Sequence, residues 1–258
     1  MIHKAKYENF KGLRSVEATF DSRLTVIVGP NGSGKTSVLQ GVESVISIWA
    51  NPNDAGGLAK LKTVGATNNL MVQLLGESGE GFGIQDCGHP VENAKDRFLR
   101  IKSNKSVVQE KRPSGVTPFG PVLRPHYRAA EIARPSITQA TPPPVGLEGS
   151  GLPSLIGYFK LRDDELFDRV EEHFCRVIPN VTKLRVDRSP SGPAAGEALL
   201  FDTTFATKVP ADQMSDGTLY ILALIVAILG PHRPKTLLID DLDLRLHPKA
   251  QYELVTLL

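Results

Sequence analysis

Apolar and polar positions in the first fifty residues predict two strands, a third strand, a loop and a helix. Residues 2–7 and 15–20 partly alternate apolar with polar side chains, as half-buried strands do. Residues 24–28 read LTVIV, a continuous apolar run that predicts a strand buried on both faces. A glycine-rich loop follows, and residues 38–49 then carry apolar side chains at helical spacing.

The pattern of apolar and polar positions is weaker in the middle of the chain. Residues 71–75 and 82–84 predict strands of an antiparallel layer, and residues 121–127 predict a short extended segment. Residues 134–153 are dense in Pro, Gly, Ser and Thr. We expect this Pro-rich segment to be a flexible surface loop at a subdomain boundary.

An amphipathic helix and a hairpin are predicted after the Pro-rich segment. Residues 163–177 place their large apolar side chains near one helical face. Residues 183–186 and 198–205 flank a Pro-, Gly- and Ser-rich stretch, which predicts a hairpin with a long turn.

The last fifty residues predict a buried helix, a buried strand and a final helix. Residues 218–229 are almost wholly apolar, yet a membrane span needs about 20 such residues, so we expect a core helix. Residues 236–239 predict a buried strand, and a helix is expected from Pro248.

Composition narrows the class of protein. The chain has 258 residues, 41% of them hydrophobic, which suits one large domain or a domain with an inserted lobe. Lys and Arg number 30 and Asp and Glu 28, so no global charge draws it to nucleic acid or an anionic membrane. Cys87 and Cys175 show neither metal-type spacing nor a disulfide framework, and no signal-peptide core is present, so we expect a cytoplasmic protein without a membrane partner.

The loop at residues 29–36, GPNGSGKT, fits the pattern G-x-x-x-x-G-K-[ST] between a predicted strand and a predicted helix. Its glycines let backbone N–H groups point at phosphate oxygens, and the helix start adds a partial positive charge. We expect Lys35 to bridge the β- and γ-phosphates of ATP and the Thr36 hydroxyl to bind Mg²⁺. The predicted nucleotide contacts in this phosphate loop and the residue after it are Asn31, Gly32, Ser33, Gly34, Lys35, Thr36 and Ser37.

Two carboxylates follow the predicted strand at residues 236–239. Ligands of α/β sheets bind at the carboxyl ends of strands, so Asp240 is expected at the Mg²⁺. Asp241 is the candidate catalytic residue, as a general base or as a group that orients water, with Lys35 assisting. The alternative is that the two acids only cap the next helix.

A possible anion site lies at residues 214–218, MSDGT, which we call the signature segment. Ser215 and Gly217 can present a hydroxyl and backbone N–H groups at the start of the apolar helix. The alternative is an ordinary Ser or Asp helix cap.

The order of these motifs resembles the ATP-binding-cassette (ABC) superfamily. The phosphate loop looks like its Walker A motif, the signature segment like its LSGGQ motif, and residues 237–241, LLIDD, like its Walker B strand. That resemblance implies dimers in which Ser215 and Gly217 cover the nucleotide of the partner subunit. The N-terminus and DDLDLRLHPKAQ look like the non-transporter branch that includes SMC, RecF and the overcoming-lysogenization-defect (OLD) ATPases.

Three features depart from that family. Asp241 stands where the family has Glu, which draws the carboxylate back by about 1.5 Å and can slow hydrolysis, since a misplacement near 1 Å can cost on the order of 100-fold. The family's next strand, with its switch histidine, is not found after the HPKAQ motif. No glutamine-loop residue can be assigned among Gln73, Gln85, Gln109 and Gln139.

The predicted fold class is α/β, a P-loop NTPase of the ABC-ATPase type with a mixed central sheet, an antiparallel N-terminal layer and an inserted helical and hairpin lobe. The expected division is residues 1–132 for the first part of the ATPase core, 133–153 for the Pro-rich loop, 154–209 for the inserted lobe and 210–258 for the rest of the core.

The leading functional hypothesis is an ATPase that forms a homodimer around ATP and Mg²⁺ and drives a separate effector protein, in phage defence or DNA metabolism. The alternative is a nucleotide-gated interaction module with slow or no hydrolysis. A transporter subunit is disfavoured by the loop after Asp241. A basic stretch between Lys95 and Arg112 is a candidate for nucleic-acid binding, although a solvated face is the explanation we favour.

Overall fold

A computed structural model describes residues 1–50, 62, 66, 70–77, 81–86, 97–101, 107–109, 119–137, 141–189, 196–242 and 246–257. The chain divides into two compact units, of which the first comprises Met1–Val122 with Lys235–Asp240 and the second Leu123–Pro234 with Asp241–Leu258. Both units are discontinuous in sequence and do not coincide with the four predicted segments, whose role as domains stays a prediction.

The first unit is built on a six-stranded sheet in the order β2-β1-β3-β4-β5-β6. All neighbouring strands are antiparallel except β4 and β5, so the predicted antiparallel N-terminal layer is confirmed. The strands are β1 Ile2–Phe10, β2 Leu13–Thr19, β3 Met71–Gly76, β4 Gly81–Asp86, β5 Arg97–Ile101 and β6 Val107–Gln109.

Helix α1, Lys35–Ala50, packs against this sheet and is confirmed where the apolar spacing predicted it. The Tyr7 hydroxyl donates to the Val38 carbonyl at 2.9 Å, and Trp49 Nε1 donates to the Gly83 carbonyl at 3.0 Å. A Cβ at Gly41 would lie 2.4 Å from the Tyr7 ring, so glycine permits this close approach. These contacts fix the helix that carries the phosphate loop.

The prediction for residues 24–28 is wrong. The segment forms no strand, and Val26 and Val28 are 69% and 86% exposed, although Ile27 packs against the core. A continuous apolar run has strand propensity, but its burial depends on neighbouring strands that lie elsewhere in the sequence.

The strand predicted at residues 236–239, which leads to Asp240 and which we call the acidic strand, is shorter than predicted. Strand β11, Thr236–Leu237, pairs with β7, Val122–Leu123, and the Lys235 amide donates to the Pro121 carbonyl at 2.8 Å. Leu238 follows the strand and is buried in the core of the first unit. The chain then reaches Asp240.

The second unit surrounds one apolar helix. Helix α5, Asp216–Leu229, buries ten of its fourteen residues, which confirms the predicted core helix. Helices α2 Ala129–Ala133 and α4 Asp164–Val177 contact it, and α3 Leu152–Arg162 and α6 Pro248–Leu257 contact α4. Strands β8 Val181–Ser189, β9 Gly196–Thr203 and β10 Val209–Pro210 form an antiparallel sheet, so the predicted hairpin is confirmed.

The Pro-rich segment, whose role as a subdomain boundary stays a prediction, makes backbone contacts with distant residues. Both its flanks belong to the second unit. Ser136 and Glu197 exchange backbone hydrogen bonds of 3.0 and 2.7 Å, and the Leu147 carbonyl accepts from the His126 amide at 3.0 Å. Pro and Gly composition indicated a loop correctly but carried no information about these long-range partners. Among the described residues, no helix is long and apolar enough to cross a bilayer.

Candidate nucleotide site

Two glycines shape the phosphate loop. Gly32 has φ of 79° and Gly34 has φ of 98°, conformations that residues with a Cβ rarely adopt. The Ser33 amide donates to the Pro30 carbonyl at 3.2 Å, which closes the turn, and the Val38 amide donates to Gly34 at 3.0 Å, which begins α1. The loop therefore turns directly into the N-terminus of a helix, an arrangement suited to anions.

Lys35 is folded back over the loop. Its ammonium donates to the Gly29 carbonyl at 2.8 Å and to the Pro30 carbonyl at 3.1 Å. An ammonium has three donors, so these two contacts hold its charge above the loop and leave capacity for an acceptor. Sequence reasoning predicted the phosphate role of Lys35 but not this orientation.

Thr36 and Asp240 lie together in the first unit. The Thr36 hydroxyl donates to Asp240 Oδ1 at 3.2 Å, and the Thr36 side chain is exposed. A hydroxyl beside a carboxylate at the start of a phosphate-loop helix is the oxygen pair that Mg²⁺ takes in P-loop proteins. The predicted proximity of the loop and the acidic strand is therefore present, while metal binding itself stays a prediction.

The pair of oxygen ligands at Thr36 and Asp240 fits Mg²⁺. Within the described parts of the chain, no group of three His, Cys, Asp or Glu side chains could hold a metal ion. Mg²⁺ usually binds one or two protein oxygens together with phosphate oxygens and water. Thr36 and Asp240 supply that small set.

Asp241 adopts a left-handed backbone conformation, with φ of 52°, and its side chain is exposed. It belongs to the second unit, although it follows Asp240 directly in sequence. Asp and Asn tolerate this region better than other residues with a Cβ. An exposed carboxylate on such a turn can accept a proton from water, and its catalytic role stays a prediction.

Ser215 caps α5. Its hydroxyl accepts from the Thr218 amide at 3.2 Å and shares a 2.8 Å hydrogen bond with the Thr218 hydroxyl. Ser215 is exposed and Gly217 half-exposed, both in the second unit. The capping alternative is thus present in the geometry, and the proposed role of these residues toward a partner's nucleotide stays a prediction.

Among the remaining predicted residues, Asn31 and Ser33 are exposed on the loop and Ser37 is half-exposed in the first turn of α1. Gln73 and Gln85 are buried in strands β3 and β4. The side chains of the basic stretch from Lys95 to Arg112, and of Gln109 and Gln139, lie outside the described residues.

Two supports of the site were not found from sequence. Burial raises the pKa of Tyr7, which keeps its hydroxyl a neutral donor to the Val38 carbonyl. The Lys11 ammonium, in the turn between β1 and β2, hydrogen-bonds to the Gln40 side chain on α1. Lys11 has φ of 50°, and its position next to Gly12 in a tight turn was the available signal.

Two family models match the chain. Residues 94–258 match the family described as "AAA domain, putative AbiEii toxin, Type IV TA system", and residues 1–55 match the family described as "AAA ATPase domain". The first match spans more than half of the chain, so the protein belongs to this family of AAA-type ATPase domains.

One of two similar solved structures supports the fold. The chain is similar to the SMC head in the crystal structure of the head bound to the C-winged helix domain of ScpA, with 14% identity and a TM-score of 0.56. The similarity covers 99% of this chain and 85% of that one. A second similarity, to the recombination mediator protein RecF with ATP, has 13% identity, covers 99% and 89%, and has a TM-score of 0.44. The similarity to the SMC head confirms the predicted α/β class with the P-loop ATPase fold.

Proposed function

We propose that this protein hydrolyses ATP with Mg²⁺, forms a homodimer around two ATP molecules, and passes the closure of that dimer to a separate effector protein. The observation that carries the proposal is the 3.2 Å contact between the Thr36 hydroxyl and the Asp240 carboxylate. It joins the phosphate loop to the acidic strand, and these are the two parts that P-loop ATPases need at one metal-bound triphosphate.

Each residue has a distinct role in this proposal. The loop amides and the α1 N-terminus bind phosphate oxygens, and Lys35 turns from its two carbonyl partners toward the terminal phosphates. Thr36 and Asp240 hold Mg²⁺, which when bound neutralises charge on the phosphates. Asp241 orients the attacking water and accepts its proton.

Dimerisation rests on the signature segment. In ABC-type ATPases this segment of one subunit covers the nucleotide of another, and Ser215 and Gly217 stand at the matching positions. Ser215 is exposed at the N-terminus of a helix, where its hydroxyl and the helix dipole both favour phosphate. The description of the matching family, with its toxin and type IV toxin–antitoxin terms, supports a phage-defence or toxin–antitoxin setting.

Phosphate release tests the enzymatic claim. We expect ATP-dependent release by the native protein, a loss of at least about 100-fold in Lys35→Ala, and a comparable loss in Asp241→Asn. Asp168→Asn, an exposed carboxylate on α4, is the matched control and should keep native turnover. Native turnover in Lys35→Ala would show that another site or a contaminant hydrolyses the ATP.

A second candidate is a nucleotide-gated interaction module with little turnover. The shorter carboxylate of Asp241 and its left-handed backbone favour it, because both constrain how far the acid reaches. Light scattering, which measures the molar mass of the protein in solution with and without ATP, distinguishes the two candidate functions. ATP-dependent dimers without phosphate release support the module, and dimers that form and decay with release support the ATPase.

Two Ser215 variants separate capping from a role in the dimer. Asn caps a helix about as well as Ser, whereas Ala costs roughly 1 kcal/mol. We expect both Ser215→Asn and Ser215→Ala to lose ATP-dependent dimers, with only Ser215→Ala losing stability. Native dimers in Ser215→Asn would leave Ser215 with a capping role alone.

A further inference from the structure

The second unit contains a cavity of about 670 Å³ beside the start of α5. Its walls come from α2, the hairpin of β8 and β9, and the turn at residues 211–213 that precedes the signature segment. That volume lies within the ~300–1,000 Å³ typical of ligand pockets. No role in the nucleotide site described above requires this cavity.

The floor of the cavity is formed by apolar side chains that are almost fully buried. Leu199 on β9 and Leu219 on α5 are each only 1% exposed and line it, and Met214 adds a flexible thioether. A floor of this kind favours an aliphatic side chain, since each buried methylene contributes about 0.8 kcal/mol.

The mouth of the cavity carries more negative than positive side chains. Asp212 and Asp216 supply two carboxylates and Arg134 one guanidinium, and all three residues are exposed at the rim. None of the ion pairs between described side chains joins these three residues to one another. The rim therefore carries a net negative charge, which favours a cation over an anion at the entrance.

We propose that this cavity is a docking site for a segment of a partner protein that presents an aliphatic side chain followed by Lys or Arg. The aliphatic group enters over Leu199 and Leu219, and the cation meets Asp212 and Asp216. The exposed rim suits a side chain that remains attached to a polypeptide. The occupant also contacts Met214 and Asp216 on either side of Ser215. Any effect on the dimer through that contact rests on the proposed function, whereas docking itself does not.

Methionine methyl NMR tests the docking directly, because the chain has only three methionines and one of them lines the cavity. The probe is N-acetyl-leucyl-lysine amide, with N-acetyl-leucyl-glutamate amide as the charge-reversed control, added to nucleotide-free protein. We expect the lysine probe to shift the Met214 signal in a saturable way, with Met1 and Met71 unchanged. The glutamate probe should bind several-fold more weakly.

Variants of the rim residues test where the cation of the probe binds. Asp212→Asn should weaken the lysine probe by about 3-fold, as expected for one exposed ion pair, and Asp168→Asn on α4 should leave its affinity native. An unmoved Met214 signal, equal shifts from both probes, or equal affinities in Asp212→Asn and Asp168→Asn would each overturn the proposal. None of these outcomes depends on ATP, so failure here is distinct from failure of the ATPase.

Discussion

The Thr36 hydroxyl and the Asp240 carboxylate hydrogen-bond at 3.2 Å although 204 positions separate them in sequence. Thr36 is held by α1, which Tyr7 and Trp49 fasten to the sheet, and Asp240 follows a segment whose Leu238 is buried in the same core. Two independently anchored elements thus present one hydroxyl and one carboxylate to the same point. This convergence is the observation on which we base the proposed ATP and Mg²⁺ site in this AAA-type ATPase domain.

The glycine conformation in the phosphate loop is expected to be necessary for nucleotide binding. Gly34→Ala would hold a Cβ residue at φ of 98°, where strain of about 1–2 kcal/mol or more is expected. If that strain falls on the binding-competent loop, ATP affinity drops about 5- to 30-fold. Calorimetric titration with ATP measures the effect.

Gly12→Ala is the matched control for the loop. A Cβ there meets nothing within 4 Å. It should keep native affinity, and equal losses in Gly12→Ala and Gly34→Ala would contradict the conformational explanation.

The backbone conformation at Asp241 predicts that two substitutions there differ in their effect on stability but not in their effect on catalysis. Asn tolerates φ near 52°, whereas a β-branched residue does not. Asp241→Asn should therefore unfold at the same urea concentration as the native protein. Asp241→Val should lose about 1–2 kcal/mol of its free energy of unfolding. Both should lose phosphate release. Native turnover by Asp241→Asn would remove this carboxylate from the mechanism.

Acid should weaken the second unit through Asp202. Hydrogen bonds from the Arg185 guanidinium, and then from the Lys208 amide, lower the pKa of Asp202 from its ordinary 3.8 to about 2. Because the folded-state pKa lies below the unfolded one, the stabilisation is complete above about pH 4 and is lost as the pH falls toward 2. Asp202→Asn should unfold more readily at pH 6 and show a smaller further loss between pH 4 and pH 2.

Circular dichroism during urea unfolding at several pH values measures that difference. Asp168→Asn should follow the native pH dependence. Parallel pH curves for the native protein and Asp202→Asn would show that this ion pair does not contribute.

The bridge between the Pro-rich segment and β9 depends on Gly196. An added Cβ would lie 2.6 Å from the Ser136 backbone, which two hydrogen bonds to Glu197 hold in place. Gly196→Ala should therefore cost about 1–3 kcal/mol, the usual range for overpacking. Urea unfolding measures it.

Gly146→Ala offers the comparison within the same segment. Its Cβ would lie 2.4 Å from the Ser150 hydroxyl, a side-chain atom that can rotate away, and the Ser150 backbone oxygen is at 3.7 Å, an ordinary contact distance. We expect little loss there, and equal losses at both glycines would show that the bridge is not the cause.

Sequence patterns predicted elements whose side-chain spacing is local. The helices α1, α4 and α5 and the hairpin of β8 and β9 follow from apolar periodicity and turn composition. The phosphate loop and the acidic strand were also recognisable, because their chemistry requires particular residues at fixed spacing.

Features that depend on distant partners were missed. Residues 24–28 have the composition of a buried strand, but burial is a property of neighbours. The bridge from Ser136 to Glu197 joins positions that are far apart in sequence. The return of Lys35 onto Gly29 is local, but it depends on the backbone turn of the phosphate loop, which the residue pattern does not specify. The cavity beside α5 likewise collects side chains from six elements that are separate in sequence.

The most direct test of the nucleotide site is the effect of Mg²⁺ on ATP affinity in Thr36→Ala, Asp240→Asn and the double variant. We predict that Mg²⁺ increases the ATP affinity of the native protein. In each single variant this increase should be about 10- to 100-fold smaller. The double variant should lose little more than either alone, because both residues serve one ion. An undiminished Mg²⁺ effect in Asp240→Asn, with Asp168→Asn behaving as native, would contradict a shared metal at Thr36 and Asp240.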